Sequence, residues 1–340
     1  MSEPSGSAAA PLSSVSPGFD IGDALRRAQL IGTLLVLTSA IGFGMAGTIS
    51  RLAVDDGMST IGFVTWRAGL GAVAVGVVLA ALVALGRTVI PRRRQVARRD
   101  AVALGVVTVI GTIVNLAMFI AFSRVAIGVA MICFYTYPAL VTLGAVRIYG
   151  EPIDQRRAAA LLLGFAGLAM VLGPDLTSSA NHLDPIGVGL ALGASVLQAI
   201  NVLIMGRGFG AIPTTVTAFA LNAVAAVCYL TLALLLGPAS ASVALTGDRA
   251  VIFVLFGGIV GAAIPTLTNV GGIRLIGSAR TAILMMLEAV VGVTMAAIFL
   301  SQDPEAIQVA GGVAVLTAGA ILQLPRHARK VIAERVHPTI

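Results

Sequence analysis

Apolar residues run along this chain in ten stretches, each near twenty residues long, separated by short polar or glycine-rich breaks. The stretches fall at about 30–50, 61–85, 101–122, 128–149, 157–174, 186–206, 214–236, 251–273, 280–300 and 306–324. About 20 apolar residues cross a hydrocarbon core roughly 30 Å thick. Backbone groups in lipid must find their hydrogen-bond partners inside the segment, and these runs are continuous rather than alternating. The pattern therefore predicts helices and not barrel strands. The expected fold class is an all-α membrane protein of ten transmembrane helices.

The pattern also happens twice. Gly111 and Arg124 stand thirteen apart, as do Gly261 and Arg274; Glu151 and Gly167 stand sixteen apart, as do Asp303 and Gly319. Five spans is an odd number, so the second set crosses the membrane upside down relative to the first. The expected organisation is two inverted five-helix repeats, 29–174 and 186–324, joined by an outer linker at 175–185. A flexible cytoplasmic tail, 1–28, precedes them and a basic cytoplasmic tail, 325–340, follows. Residues 1–28 are rich in Ser, Ala, Pro and Gly and hold little to bury. The first apolar run is long and sits behind that tail, so it reads as a span rather than a cleavable signal. Inverted repeats put a pseudo-two-fold axis in the membrane plane, a symmetry that transporters use to alternate access to a central site.

Composition agrees. The 340 residues are 58% hydrophobic and 11% charged, with mean hydropathy +0.99; a soluble domain of this length needs far more polar surface. The net charge of +7 could point to nucleic acid, but its placement argues for none. With the N-terminus inside, seventeen of the 22 Lys and Arg fall in cytoplasmic segments, three in outer loops (Arg51, Arg124, Arg249) and two in spans (Arg67, Arg147). That bias sets orientation by the positive-inside rule. It predicts an integral protein of a bacterial-type inner (plasma) membrane with both termini cytoplasmic. The basic run at 90–100 is a topology anchor, with anionic head groups as a secondary partner. Cys133 and Cys228 lie inside spans and read as small apolar packing residues. His182, His327 and His337 lie in loops or tail, so no metal site and no cofactor are expected. There is no phosphate-cradling Gly-Lys-Ser/Thr loop and no nucleophile elbow, so the chain reads as no enzyme.

These residues carry a family resemblance. Phe63-Val64-Thr65-Trp66-Arg67 in span two, Tyr149-Gly150-Glu151 after span four and Gly164-Phe165-Ala166-Gly167 in span five resemble the EamA-type transporters of the drug/metabolite transporter superfamily. In the second half, the run from Ser278 through Arg280 to Glu288 looks like the family's ninth span, and Gly312 to Gly319 like its closing span. The chain departs from the family with Ala289 in place of a proline, Ser301-Gln302-Asp303 in place of the second glycine-glutamate turn, and Asn222 where an arginine like Arg67 is expected. The resemblance implies a ten-helix inverted-repeat carrier that moves small metabolites, commonly outward.

Glu288 is the sharpest candidate site residue. It lies about eight residues into its span, roughly 12 Å deep at 1.5 Å rise per residue. A carboxylate at that depth is costly and should face a cavity or a partner. It is read as a substrate-ammonium contact or a proton-coupling site, with a structural carboxylate as the alternative. Arg67 has two readings of equal weight: snorkelling toward the outer head groups, or a fixed positive charge for a substrate carboxylate or Glu288. Glu151 is read as capping the start of span five. The uncharged candidates are Asn115, Tyr135, Tyr137, Gln198, Asn201 and Asn269, with Asn222, Thr266 and Thr268 as further polar positions. Tyr135 and Tyr137 differ by two on a helix, so they are expected to face different directions. Gln198 and Asn201 are three apart and share a face. Gly189-xxx-Gly193 and Gly257-xxx-Gly261 are read as allowing close helix approach, with a homodimer as the weaker inference. Pro138 and Pro265 are read as kinking spans four and eight.

Together these features predict a secondary transporter, with a small-molecule substrate and membrane lipids as its partners. The expected cargo is a small polar metabolite such as an amino acid, exported by alternating access with proton coupling at Glu288. A lipophilic drug or toxin exporter is the alternative, and a membrane-embedded lipid-modifying enzyme a more distant one.

Overall fold

The computed structural model describes residues 21–122, 124–125, 127–150, 154–177, 184–210, 212–237, 248–300 and 304–323. Among them there is no strand. The helices are α1 (Ile21–Asp55), α2 (Thr60–Ala84), α3 (Arg98–Phe122), α4 (Ile127–Phe134), α5 (Tyr137–Tyr149), α6 (Gln155–Thr177), α7 (Pro185–Arg207) and α8 (Thr214–Leu235). Then come α9 (Asp248–Gly258), a π turn (Ile259–Ala263), α10 (Ile264–Ile276), α11 (Ser278–Leu284), α12 (Leu287–Leu300) and α13 (Ala306–Gln323). Nine helical stretches among the described residues are long and apolar enough to cross a membrane, and Ala306–Leu322 is a shorter tenth. Each falls on one of the ten apolar runs. The first helix begins at Ile21, so it takes in residues 21–28 of the stretch read as tail. Residues 1–20 and 324–340, the inner part of the linker at 178–183, Glu151, Ser301, Gln302, Asp303 and the three histidines lie outside the described residues.

Local chemistry sets several helix ends. Ser59 precedes α2 and its hydroxyl accepts the Gly62 N–H at 2.9 Å, satisfying one of the first-turn donors that a helix leaves unpaired. Asp184 does the same for α7, accepting from Ile186 at 2.8 Å, with Pro185 at the first helical position. Arg124 donates to Asp184 at 2.9 Å, and this hydrogen bond, with the capping N–H, holds the Asp184 carboxyl below the ordinary carboxylate range. Gly150 closes α5 in the left-handed region at φ 65°, which glycine adopts without strain.

Large apolar side chains face outward along the spans. Leu162, Val77, Leu230, Leu235 and Phe299 are exposed, the arrangement lipid contact requires and water forbids. The chain is an integral membrane protein. Inside, α1 packs on α10, α3 on α7, α2 on α8, and α6 on α13; α5 meets α11, α1 meets α12, and α4 and α5 meet α7. Counting α4–α5, α9–α10 and α11–α12 each as one span, exchange of the first five spans with the last five leaves this set of pairs unchanged. Gly167 and Gly311 mark the crossing of α6 and α13: a Cβ on Gly167 would lie 2.7 Å from the Gly311 carbonyl oxygen. Gly257 and Gly261 also sit at helix contacts, whereas Gly189 and Gly193 are exposed with nothing within 4 Å. The Gly189–Gly193 pair therefore brings no two helices together among the described residues.

Candidate substrate cavity

Two spans are broken at their middles, and the breaks meet. In the fourth span, Pro138 has no N–H, so the Phe134 carbonyl four residues back loses its helical partner. Helix α4 stops at Phe134 and α5 starts at Tyr137. Thr136, between them, donates its hydroxyl to the Cys133 carbonyl at 2.8 Å and shares a hydrogen bond with Ser195 of α7 at 2.7 Å. In the ninth span there is no proline, yet α11 ends at Leu284 and α12 begins at Leu287. Here the turn tightens: Met286 and Glu288 donate to carbonyls three residues back, Ile283 and Met285, at 3.1 and 3.0 Å. Met286 is fully buried against Gly164 of α6, and the Met285 carbonyl receives the Tyr135 hydroxyl at 3.5 Å.

The break puts Glu288 in the first turn of α12, where the helix dipole favours a negative charge. Helix α1 fixes the position from behind, since Gly44 leaves no room for a side chain against the Glu288 carbonyl.

Arg67 does not snorkel. Its Nε and Nη2 donate to the Gly261 carbonyl at 3.1 and 2.6 Å. That carbonyl is short of a partner because the residue four positions on is Pro265, which has no N–H to give. The surrounding backbone has widened into the π turn, with Ile264 N–H donating to the Ile259 carbonyl. Arg67 thus reaches across from α2 to complete the backbone of the eighth span. It forms no ion pair with Glu288 among the described residues.

Both charges nevertheless line the same cavity, of about 200 Å³. Of the residues singled out from sequence, Glu288, Arg67, Asn115, Tyr137, Gln198, Asn201 and Asn269 line it. Tyr135 does not; it is fully buried behind the wall. This agrees with the expectation that two residues two apart face different directions: Tyr137 turns to the cavity and Tyr135 away from it, although the break in the helix leaves their ring centroids 6.0 Å apart. Asn201 is 3% exposed and donates its amide to the Val107 carbonyl at 3.0 Å. That bond fixes the side chain's direction, since the carbonyl can face only the NH₂ end. Asn269 donates to the Met285 sulfur at 3.4 Å.

Asn222 and Tyr229 complete the polar wall, and neither was selected as a site residue from sequence. They share the cavity face of α8 with Ala225, a spacing of three, four and seven that a helix puts on one side. The Tyr229 hydroxyl donates to the Thr112 carbonyl at 3.1 Å. Thr112, Thr266 and Thr281 also line the cavity, as do Phe43, Phe134 and Met285. Thr268 turns its hydroxyl back onto its own helix at the Ile264 carbonyl, 2.8 Å away. Among the described residues no three His, Cys, Asp or Glu gather in a set that could hold a metal ion.

Residues 30–173 match the model of the EamA-like transporter family. A solved structure described only as "Crystal structure of protein" is similar over 92% of this chain and 99% of its own, with TM-score 0.67 and 19% identity. At that identity the likeness speaks for the fold alone. No curated protein matches the chain.

Proposed function

We propose, from the match of residues 30–173 to the EamA-like transporter family, that the chain is a membrane transporter of the drug/metabolite transporter superfamily and a secondary carrier. Its cargo on this reading is a small polar metabolite such as an amino acid. The observation that carries the reading is a small cavity, about 200 Å³, set where two broken helices meet and holding one carboxylate, one guanidinium and several amides. Substrate sites of secondary transporters sit near the midplane at such helix breaks, where half-helix ends present free backbone groups. Ligand pockets commonly run from about 300 Å³ upward, so this cavity suits a small solute.

In the proposed cycle a substrate ammonium takes the Glu288 carboxylate beside Tyr137, and its other polar groups meet Gln198, Asn201, Asn115 and Asn269. The two five-helix halves then rock about that site. The pairing of helices, unchanged by exchange of the halves, supports an inverted repeat. Orientation with both termini cytoplasmic follows from the arginine bias, and export follows the family resemblance. Glu288 is also the proposed proton carrier.

A lipophilic-cation exporter is the second reading, favoured by Phe43 and Phe134 in the wall, since aromatic faces attract cations. The amides weigh against it, because an apolar ligand would leave the buried Asn201 Oδ1 without a partner.

The test compares metabolites released by cells producing the parent chain with those released by cells producing Glu288→Ala at equal membrane levels. A polar metabolite enriched outside only with the parent supports the reading. Competition by lipophilic cations, with no polar metabolite released, replaces it with the second.

A further inference from the structure

We infer that Arg67 is a latch on the π turn of the eighth span, and that the charge at Glu288 sets how firmly it closes. The inference builds on the transport reading, in that an ammonium-bearing ligand on Glu288 would be what closes it. Three features converge. The Gly261 carbonyl lacks its helical donor because Pro265 follows at the fourth position. Arg67 supplies two donors in its place, from another helix, 194 residues away in sequence. The turn it holds is a π turn, a local geometry that is rare and recurs at functional sites.

Arg67 is also a shared resource. It faces the cavity that Glu288 lines, yet its fork is spent on the carbonyl and not on the carboxylate. A free carboxylate at Glu288 competes for the guanidinium and loosens the grip on Gly261. A cation seated on Glu288 removes that competitor, so Arg67 returns fully to the carbonyl. Gly42 of α1 packs on the same turn with no room for a side chain: a Cβ there would lie 2.6 Å from the Val260 carbonyl oxygen. Tightening the turn therefore bears directly on α1, the helix that also backs Glu288. Occupancy at Glu288 is in this way communicated to the packing of α1 on the eighth span. Arg67 acts here as a positioning residue.

The test is hydrogen exchange of the Val260–Ile264 amides in the full chain, purified in lipid nanodiscs, with no ligand needed. Arg67→Lys keeps the charge but loses the fork, and should speed exchange by at least about tenfold, the worth of a hydrogen bond from a charged donor. Pro265→Ala restores the missing N–H. It should slow exchange by itself and reduce the Arg67→Lys effect to less than about twofold, since the carbonyl then has its own donor. Glu288→Gln mimics the occupied site and should slow exchange about two- to fivefold in the parent, with no effect once Arg67 is lysine. Unchanged exchange in Arg67→Lys, or an equal change with and without Pro265, overturns the latch. Unchanged exchange in Glu288→Gln overturns the coupling to Glu288. A chain that moves no metabolite but shows the expected exchange pattern overturns the transport reading and leaves the latch standing.

Discussion

Replacing Gly44 by alanine should displace the backbone that carries Glu288, and the size of the effect can be worked from the geometry. A Cβ on Gly44 would lie 2.6 Å from the Glu288 carbonyl oxygen and 2.8 Å from the Val291 Cβ. Ordinary contact begins near 3.4 Å, so the start of α12 must retreat by most of an ångström or the helices must part. Forced insertion of one methyl into a packed core costs about 1–3 kcal/mol. Alanine also favours the helix by about 0.8–1 kcal/mol over glycine, and this masks part of the loss. Gly47 provides the control, three residues along the same helix, exposed and with nothing within 4 Å. Gly47→Ala gains the propensity and meets no obstacle. The difference between the two variants isolates the steric effect at about 1–3 kcal/mol. The assay is unfolding of the purified chain in detergent, read by reaction of the half-buried Cys133 with a thiol dye in a Cys228→Ser background, alongside metabolite release from cells. Release should fall in Gly44→Ala and stay at the parent level in Gly47→Ala. Equal stability of the two variants within about 0.5 kcal/mol, with equal release, would refute the claim that α1 fixes Glu288 by close backbone approach.

Gly167→Ala should destabilise by a similar amount, about 1–3 kcal/mol, because its Cβ would meet the backbone oxygen of Gly311 at 2.7 Å; Gly193→Ala, with nothing near, should not, and the same unfolding assay separates them. Tyr229→Phe removes the hydroxyl donated to Thr112 and should cost about 0.6 kcal/mol, the mean for hydrogen bonds between membrane helices. The Asp184 carboxyl titrates below its unfolded range because Arg124 and the Ile186 N–H favour its charge. Its contribution to stability is therefore full above the unfolded value and is lost as pH falls through the folded one. A pH series of unfolding midpoints for Asp184→Asn should then lie below the parent at neutral pH and converge with it in acid.

Helix count and position follow from sequence because the hydrocarbon thickness fixes how many apolar residues a span needs, and the ten runs meet that length. Pro138 marked the break in the fourth span for an equally local reason, the missing N–H. Glu288, Arg67, Asn115, Tyr137, Gln198, Asn201 and Asn269 were legible as candidates because polar groups in lipid-length runs must face inward. What local chemistry left open, the tertiary structure decided. The break at Met285–Met286 has no proline behind it; there Met286 lies against Gly164 and the Tyr135 hydroxyl meets the Met285 carbonyl. Asn222 and Tyr229 joined the cavity through the packing of α8 on α2 and α3. Gly189-xxx-Gly193 meets no other helix among the described residues of the chain, since a small-residue spacing permits close approach without supplying the second helix. Arg67 illustrates the division most plainly. Its depth could be counted from the sequence, but its partner is a carbonyl left without a donor 194 residues away, and only the packing of α2 against the eighth span brings the two together.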